Sequence, residues 1–220
     1  MSSRTAAARA AKARIRDSAQ VRILDAAAEV FARNSLSGAT MAEIAGEAGM
    51  PPATVHYYFK SKAALYDAVL DRMLESWLRE LDQIDSSRHP ADALAAYIVA
   101  KMRVSHSHPA ASRIVAGEVL RGGTKLKSFL VQTFAPHLRA KLDLVEAWKR
   151  DALVRPVDPI RLFFLIWAST EFYANYASEI VALQGEESMT GDGLHTAARD
   201  LVDLILYGAI HQSPRSTEPG

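Results

Sequence analysis

Between Thr40 and Lys62 the chain concentrates residues suited to gripping a nucleic-acid duplex. Thr54 and His56 can exchange hydrogen bonds with base edges, and Pro52 and Ala53 can touch a thymine methyl. Tyr57, Tyr58, Lys62 and Thr40 suit phosphate oxygens, contacts that position a protein without specifying sequence. A second set lies further along. Trp77, Trp167 and Glu171, with Met73 and Tyr173 nearby in sequence, could place aromatic walls around one polar anchor, a composition that fits a small-molecule pocket. Trp167 and Glu171 are four residues apart, so on a helix they share a face. The plainer alternative is that both tryptophans are core packing and Glu171 points to solvent or to a basic neighbour.

These residues need elements to hold them. Leu24, Ala27, Ala28 and Phe31 repeat at helical spacing over about 18–33, and Asn34 and Gly38 end that helix. Thr40-Met41-Ala42-Glu43 is a capping box opening a short helix, in which hydroxyl and carboxylate each take an otherwise unpaired amide. Gly49 suits the left-handed position that closes it. Pro51 and Pro52 then open another short helix, where a missing amide costs nothing. Two short helices joined at a glycine, with Ala45 small enough for a close crossing and Val55 as apolar anchor, make a helix-turn-helix. Its second helix would enter the major groove. Ser61 caps a fourth helix over about 62–84.

Further helices are predicted near 91–107, 110–120 and 125–150, a long one from the cap Asp158-Pro159 to about 184, and a last one over 193–211. There is no alternating β pattern. The fold class is therefore all-α: a three-helix head plus a larger helical body, about nine helices. The divisions are a flexible basic arm at 1–17, the helix-turn-helix domain at 18–62, a ligand-binding and dimerisation domain at 63–211, and a disordered tail at 212–220. Leu162 to Ile166 is apolar on every side of its helix, which asks for burial on every side. A second subunit supplies the missing wall, so the helices near 158–184 and 193–211 are read as a homodimer interface, two from each subunit forming a four-helix bundle.

Charge follows the same division. The 220 residues carry 26 Lys+Arg against 25 Asp+Glu, a net +1 that hides an asymmetry. Residues 1–62 hold nine basic and five acidic residues, a net +4, and leave −3 for the rest. A basic head on an acidic body points to a polyanion partner for the head alone. There are no cysteines, which excludes disulfides, thiolate zinc sites and thiol sensing. No apolar run approaches the roughly 20 residues of a membrane span, and no secretion signal opens the chain, so the expected location is the cytoplasm. His106 and His108 project about 200° apart on a helix and do not read as a metal site. Arg121-Gly122-Gly123-Thr124-Lys125 lacks the order of a phosphate loop. Common catalytic signatures are absent. No enzyme activity, metal or cofactor is expected.

The stretch Ile44-Ala45-x-x-Ala48-Gly49, followed by His56-Tyr57-Tyr58-Phe59-x-Ser61-Lys62-x-x-Leu65, resembles the signature of the TetR family of one-component transcriptional repressors. His56 stands where that family usually has Tyr or Leu. The resemblance implies a homodimer that binds a palindromic operator in double-stranded DNA and is released by a small effector. In the body, Ile166-Trp167-Ala168-Ser169-Thr170-Glu171-x-Tyr173-Ala174 and Trp77-Leu78 resemble the subgroup containing the pyrimidine-utilisation repressor, which senses uracil and thymine. In that subgroup two tryptophans and an amide side chain close a pocket, and the matching positions are Trp77, Trp167 and Glu171. Glu171 departs from the amide. An ionised carboxylate accepts hydrogen bonds but cannot donate to a ring carbonyl, so a nucleobase-like nitrogen heterocycle offering N–H donors, or a positive charge, fits better. The alternative from another class is a helical small-molecule carrier or enzyme whose head does not bind DNA.

Overall fold

The structure is a computed structural model that describes the backbone of residues 2–209 and the side chains of residues 17–208. Helix α1 spans Ser2–Gly38 and is broken at Ser35, whose φ of 58° lies in the left-handed region. The break falls beside Asn34, where the sequence pattern stops. The backbone is already helical from Ser2, through the segment expected as a flexible arm. The expected disordered tail at 212–220 lies outside the described residues.

Helices α2 (Met41–Glu47) and α3 (Pro52–Tyr58) follow. The capping box is formed: Glu43 N donates to Thr40 Oγ1 at 3.2 Å, and Thr40 N donates to Glu43 Oε2 at 2.8 Å. Gly49 takes φ +60° at the turn. Arg22 from α1 donates to the Ala48 carbonyl at 2.7 Å and so serves the end of α2. Ile44, Ala45, Val55 and Phe59 are buried against Ile23, Ala27, Val30 and Phe31 of α1. Each large apolar side chain removed from water in this way contributes about 1.5–3 kcal/mol.

Helix α4 (Lys62–Leu81), capped by Ser61, leaves the head and enters the body. Leu65, Tyr66, Val69, Leu70, Met73 and Leu74 extend the head's apolar cluster along it to Ile114, Val115 and Leu126. Head and body therefore share one core at their junction. The body is completed by α5 (Pro90–Ser107), α6 (Pro109–Leu120), a short α7 (Lys127–Phe129), a wider π-type turn at Leu130–Phe134, α8 (Ala135–Arg150), α9 (Pro159–Asn175), α10 (Ala177–Gln184) and α11 (Gly191–Ala209). No strand occurs among the described residues. Its own core gathers Leu94, Tyr97, Ile98, Phe134, Val145, Phe163, Ile166 and Ile205.

Two expected elements are corrected. The single helix foreseen near 158–184 is two, because Tyr176 at φ −121°, ψ 32° interrupts it. The loop foreseen between Gly185 and Gly193 contains a 3-10 turn at Glu186–Met189. The Tyr176 break has no Gly or Pro at the point of interruption, so sequence punctuation gave no warning there.

Candidate DNA interface and ligand cavity

The head presents α3 outward. Pro52, Ala53, His56 and Tyr57 are exposed, while Thr54 and Tyr58 are half-buried. Tyr57 is 77% exposed and meets Tyr58 edge-on at 5.3 Å between ring centres. An exposed aromatic of that size, braced by a neighbour, is poised for a partner rather than packed for stability. Thr40 is exposed too, its side chain engaged in the capping box. Lys62 is engaged within the head. Its Nζ donates to the carbonyls of Ala39 at 2.7 Å and Ser37 at 3.2 Å. Those carbonyls lie at and just past the C-terminal end of α1, where helical partners are missing. Lys62 thus spends two of its three N–H donors on the head's own backbone.

The second expected site divides. Met73, Trp77 and Glu171 line a cavity of about 250 Å³ between α4, α5, α6 and α9. Trp167 and Tyr173 do not line it. Trp167 Nε1 donates to the Tyr97 hydroxyl at 2.7 Å, and its ring lies 5.7–6.0 Å from those of Phe134, Phe163 and Phe164. Tyr173 packs instead with Met102, Leu194 and Ala198. The helical geometry explains both. Tyr97 and Lys101 on α5 pair with Trp167 and Glu171 on α9, one turn apart. The first rung is closed by aromatic rings, and the cavity begins only at the second. Tyr173 is two residues past Glu171, about 200° around the helix.

The cavity has polar residues that the sequence reading missed. Glu80, Lys101, Ser105, Ser112 and Asn175 all line it. Glu80 and Lys101 side chains are each only 5% exposed. Lys101 Nζ sits 3.5 Å from Glu80 Oε2, 3.8 Å from Glu171 Oε1 and 5.7 Å from the centre of the Trp77 ring. Burial pushes the Glu80 carboxyl above the usual range, with Lys101 opposing. A signal for these residues did exist. Lys101 lies four residues after Tyr97, and Glu80 seven after Met73 and three after Trp77, so both interrupt apolar helix faces.

Glu80 Oε1, Ser112 Oγ and Asn175 Oδ1 are buried with no hydrogen-bond partner, and all three residues line this one cavity. Buried polar groups are nearly always paired, so three orphans around one void mark the place where something else supplies the partners. A larger groove, about 490 Å³, opens where head meets body. There Arg72 pairs with Asp25 at 2.7 Å and Arg22 with the Ala48 carbonyl, and none of the three orphans lines it. Burial, then the nearby Arg72, hold the His108 imidazole below its usual pKa there.

Above the small cavity, α6 contacts the head. Tyr66 donates its hydroxyl to Glu118 at 2.6 Å, and Tyr66 meets Phe31 of α1 edge-on at 5.0 Å. Burial and then the bond to Glu118 raise the Tyr66 phenol. Burial alone would raise Glu118 too, but hydrogen bonds from Tyr66 and Arg121 outweigh it and leave the carboxyl below its usual range.

Residues 23–69 match the family of bacterial regulatory proteins named for TetR, and residues 70–212 match the C-terminal region of YcdC-like proteins. The chain belongs to the TetR family. It is 36% identical over 163 residues to the HTH-type transcriptional regulator RutR of Escherichia coli strain K12, covering 74% of this chain and 77% of that protein. It also resembles the solved ketosteroid transcriptional regulator KstR2 of Mycobacterium tuberculosis, with a TM-score of 0.70 at 19% identity, over 88% of this chain and 95% of that one. AibR, solved with isovaleryl coenzyme A and operator DNA, gives a TM-score of 0.60 at 16% identity, over 84% and 97% of the two chains. The TetR-family member described here is thus a DNA-binding, ligand-responsive transcriptional regulator and not an enzyme. No helix among its described residues is long and apolar enough to cross a membrane.

Proposed function

We propose that this regulator represses transcription as a homodimer on a two-fold operator and is released when a small nitrogen heterocycle fills the cavity between α4, α5, α6 and α9. The observation that carries this reading is the set of three unpartnered buried oxygens, Glu80 Oε1, Ser112 Oγ and Asn175 Oδ1, around one void. The void is bounded by Met73, Trp77 and Glu80 of α4. That same helix begins at Lys62, inside the head. A guest that shifts α4 shifts the head, and in a dimer it changes the spacing of the two α3 helices. Two half-sites on one face of the duplex must lie about 34–36 Å apart, or a deformed equivalent, so a small change of spacing is costly.

In the head, Pro52, Ala53, Thr54 and His56 read base edges, while Thr40, Tyr57 and Tyr58 hold phosphates. For the dimer, Phe164, Leu165 and Phe172 of α9 and Leu204 and Tyr207 of α11 expose large apolar surface. On α9 they fall within about 100° of one another around the helix. Such a stripe suits a four-helix bundle made from both subunits. The site of action is the cytoplasm, where the operator is.

The test is an operator titration, using a fragment that the protein selects from random-sequence DNA. Nucleobases and small nitrogen heterocycles that raise the melting temperature are added. Ligand and DNA should weaken each other about 5–150-fold, equivalent to about 1–3 kcal/mol. Unchanged operator affinity with a ligand bound in the cavity would reject release by that ligand. Leu165→Glu with Phe172→Glu should give monomers in sedimentation. A dimer that survives both changes would place the interface elsewhere.

A further inference from the structure

Resting on the reading of this cavity as the effector site, we propose that it selects a small planar ring bearing a cationic N–H edge, of amidinium or aminated-heterocycle type, over neutral or anionic rings of the same shape. The orphaned atoms set the requirement. Glu80 Oε1 and Asn175 Oδ1 are acceptors, and Ser112 Oγ can accept. Glu80 Oε1 and Asn175 Oδ1 can only accept, so the guest must bring donors to these two atoms, although Lys101, the two serine hydroxyls and the Asn175 amide also line the wall. Paired N–H groups on one rigid edge satisfy two acceptors with a single ordering step, which is how planar delocalised cations meet carboxylates.

Charge adds to this. Glu80 and Glu171 flank one ammonium, Lys101, which lies within 3.8 Å of both. With all three ionised the cavity carries −1. Lys101 is itself a cation facing the guest, but it is already shared between the two carboxylates and the Trp77 face. The net charge is negative, and the Glu80 share of it sits where burial makes it expensive. A cationic edge relieves that cost. A ring with two carbonyls would instead turn acceptors toward acceptors, leaving Lys101 as the one charged donor.

Size and the remaining wall limit the guest. About 250 Å³ exceeds the roughly 150 Å³ engineered cavity that admits benzene. One ring with a short substituent fits. Met73, Val115, Ala116 and Val119 give it an apolar bed.

Benzamidine, benzamide and benzoate share one shape and differ in charge, and the full-length protein can be titrated with each by calorimetry and thermal shift. Benzamidine should bind at least tenfold more tightly than benzamide, and benzoate should not shift melting. Glu171→Gln, at a half-exposed position, should cut the preference for benzamidine severalfold. Glu80→Gln should cut it further, provided its melt stays cooperative; if it does not fold, Glu171→Gln decides alone. Equal binding of benzamidine and benzamide, or tighter binding of benzoate, overturns the charge selection and leaves the effector cavity standing. Benzamidine binding untouched by the folded variants also overturns it, since the ligand would then sit elsewhere. Silence from all three probes overturns both this inference and the effector reading.

Discussion

The head and the body treat their polar groups in opposite ways. In the head, the groups that fix the fold are satisfied at short range. Thr40 and Glu43 cap each other, Arg22 serves the end of α2, Lys62 serves the end of α1, and Arg33 reaches Glu47 at 2.6 Å. What remains turned outward is His56 and Tyr57, held by a frame that needs nothing more from them. In the body, the cavity keeps a deficit: three buried oxygens wait without donors. The contrast follows from the partners. A duplex has a known, rigid shape and many charges, so a finished surface meets it. On the proposed reading, a small guest has few groups, so its binding energy would come from an unfinished interior.

Trp167→Ala would strike this contrast hardest. If Trp167 belongs to the aromatic rung, its loss should cost about 2–4 kcal/mol in urea unfolding, below the full-burial range because the ring is half-buried, and strand the Tyr97 hydroxyl. A loss of ligand binding with stability intact would return Trp167 to the cavity wall. Next in size is Tyr57→Ala. The side chain is mostly exposed, so folding should be unchanged, while operator affinity falls about 10–100-fold, the range of one or two charge-assisted contacts. Equal affinity would remove Tyr57 from the interface.

Lys62→Met is a sharper probe than its size suggests. Its bonds to two carbonyls should make the head about 1–3 kcal/mol less stable. The salt dependence of DNA binding should stay the same, because no phosphate contact is lost. A slope reduced by about one unit would mean that Lys62 leaves those carbonyls and touches the backbone of DNA after all.

The smallest effect concerns pH. Burial raises the Glu80 carboxyl in the folded state, so its proton is held more tightly there than in the unfolded chain. This contribution to stability is complete below the ordinary glutamate pKa of about 4.3 and is lost as pH rises through the raised value. Glu80→Gln should flatten that part of the pH profile of unfolding in the absence of ligand. An unchanged profile would show that Glu80 titrates normally.

The head was largely legible in the sequence because its elements are punctuated locally. Thr40-x-x-Glu43, Gly49, Pro51-Pro52 and Ser61 each carry a physical reason to start or stop a helix where they stand. Lys62 was legible as a cation but not as a brace, since its partners lie more than twenty residues away. In the body, Met73, Trp77 and Glu171 line the cavity, while Trp167 and Tyr173 do not. Spacing fixes which side chains share a helix face, but not at which turn two packed helices part to leave a void. Lys101 and Glu80 left a trace as charges on apolar faces. Ser112 and Asn175 left none, because a small polar residue on a helix is common and its isolation shows only in three dimensions.

Helix α6 bears Ser112, Val115 and Val119 on the cavity and Glu118 on Tyr66. It is at once a chamber wall and a latch. The 2.6 Å bond to Tyr66 and the seat of Phe31 behind it tie the head's angle to that wall. On the proposed reading, a guest that pushed α6 outward would strain the latch, and a head fixed on DNA would hold the wall in. Occupancy of the chamber and the pose of the head would then be two readings of one displacement, shared by α4 and α6.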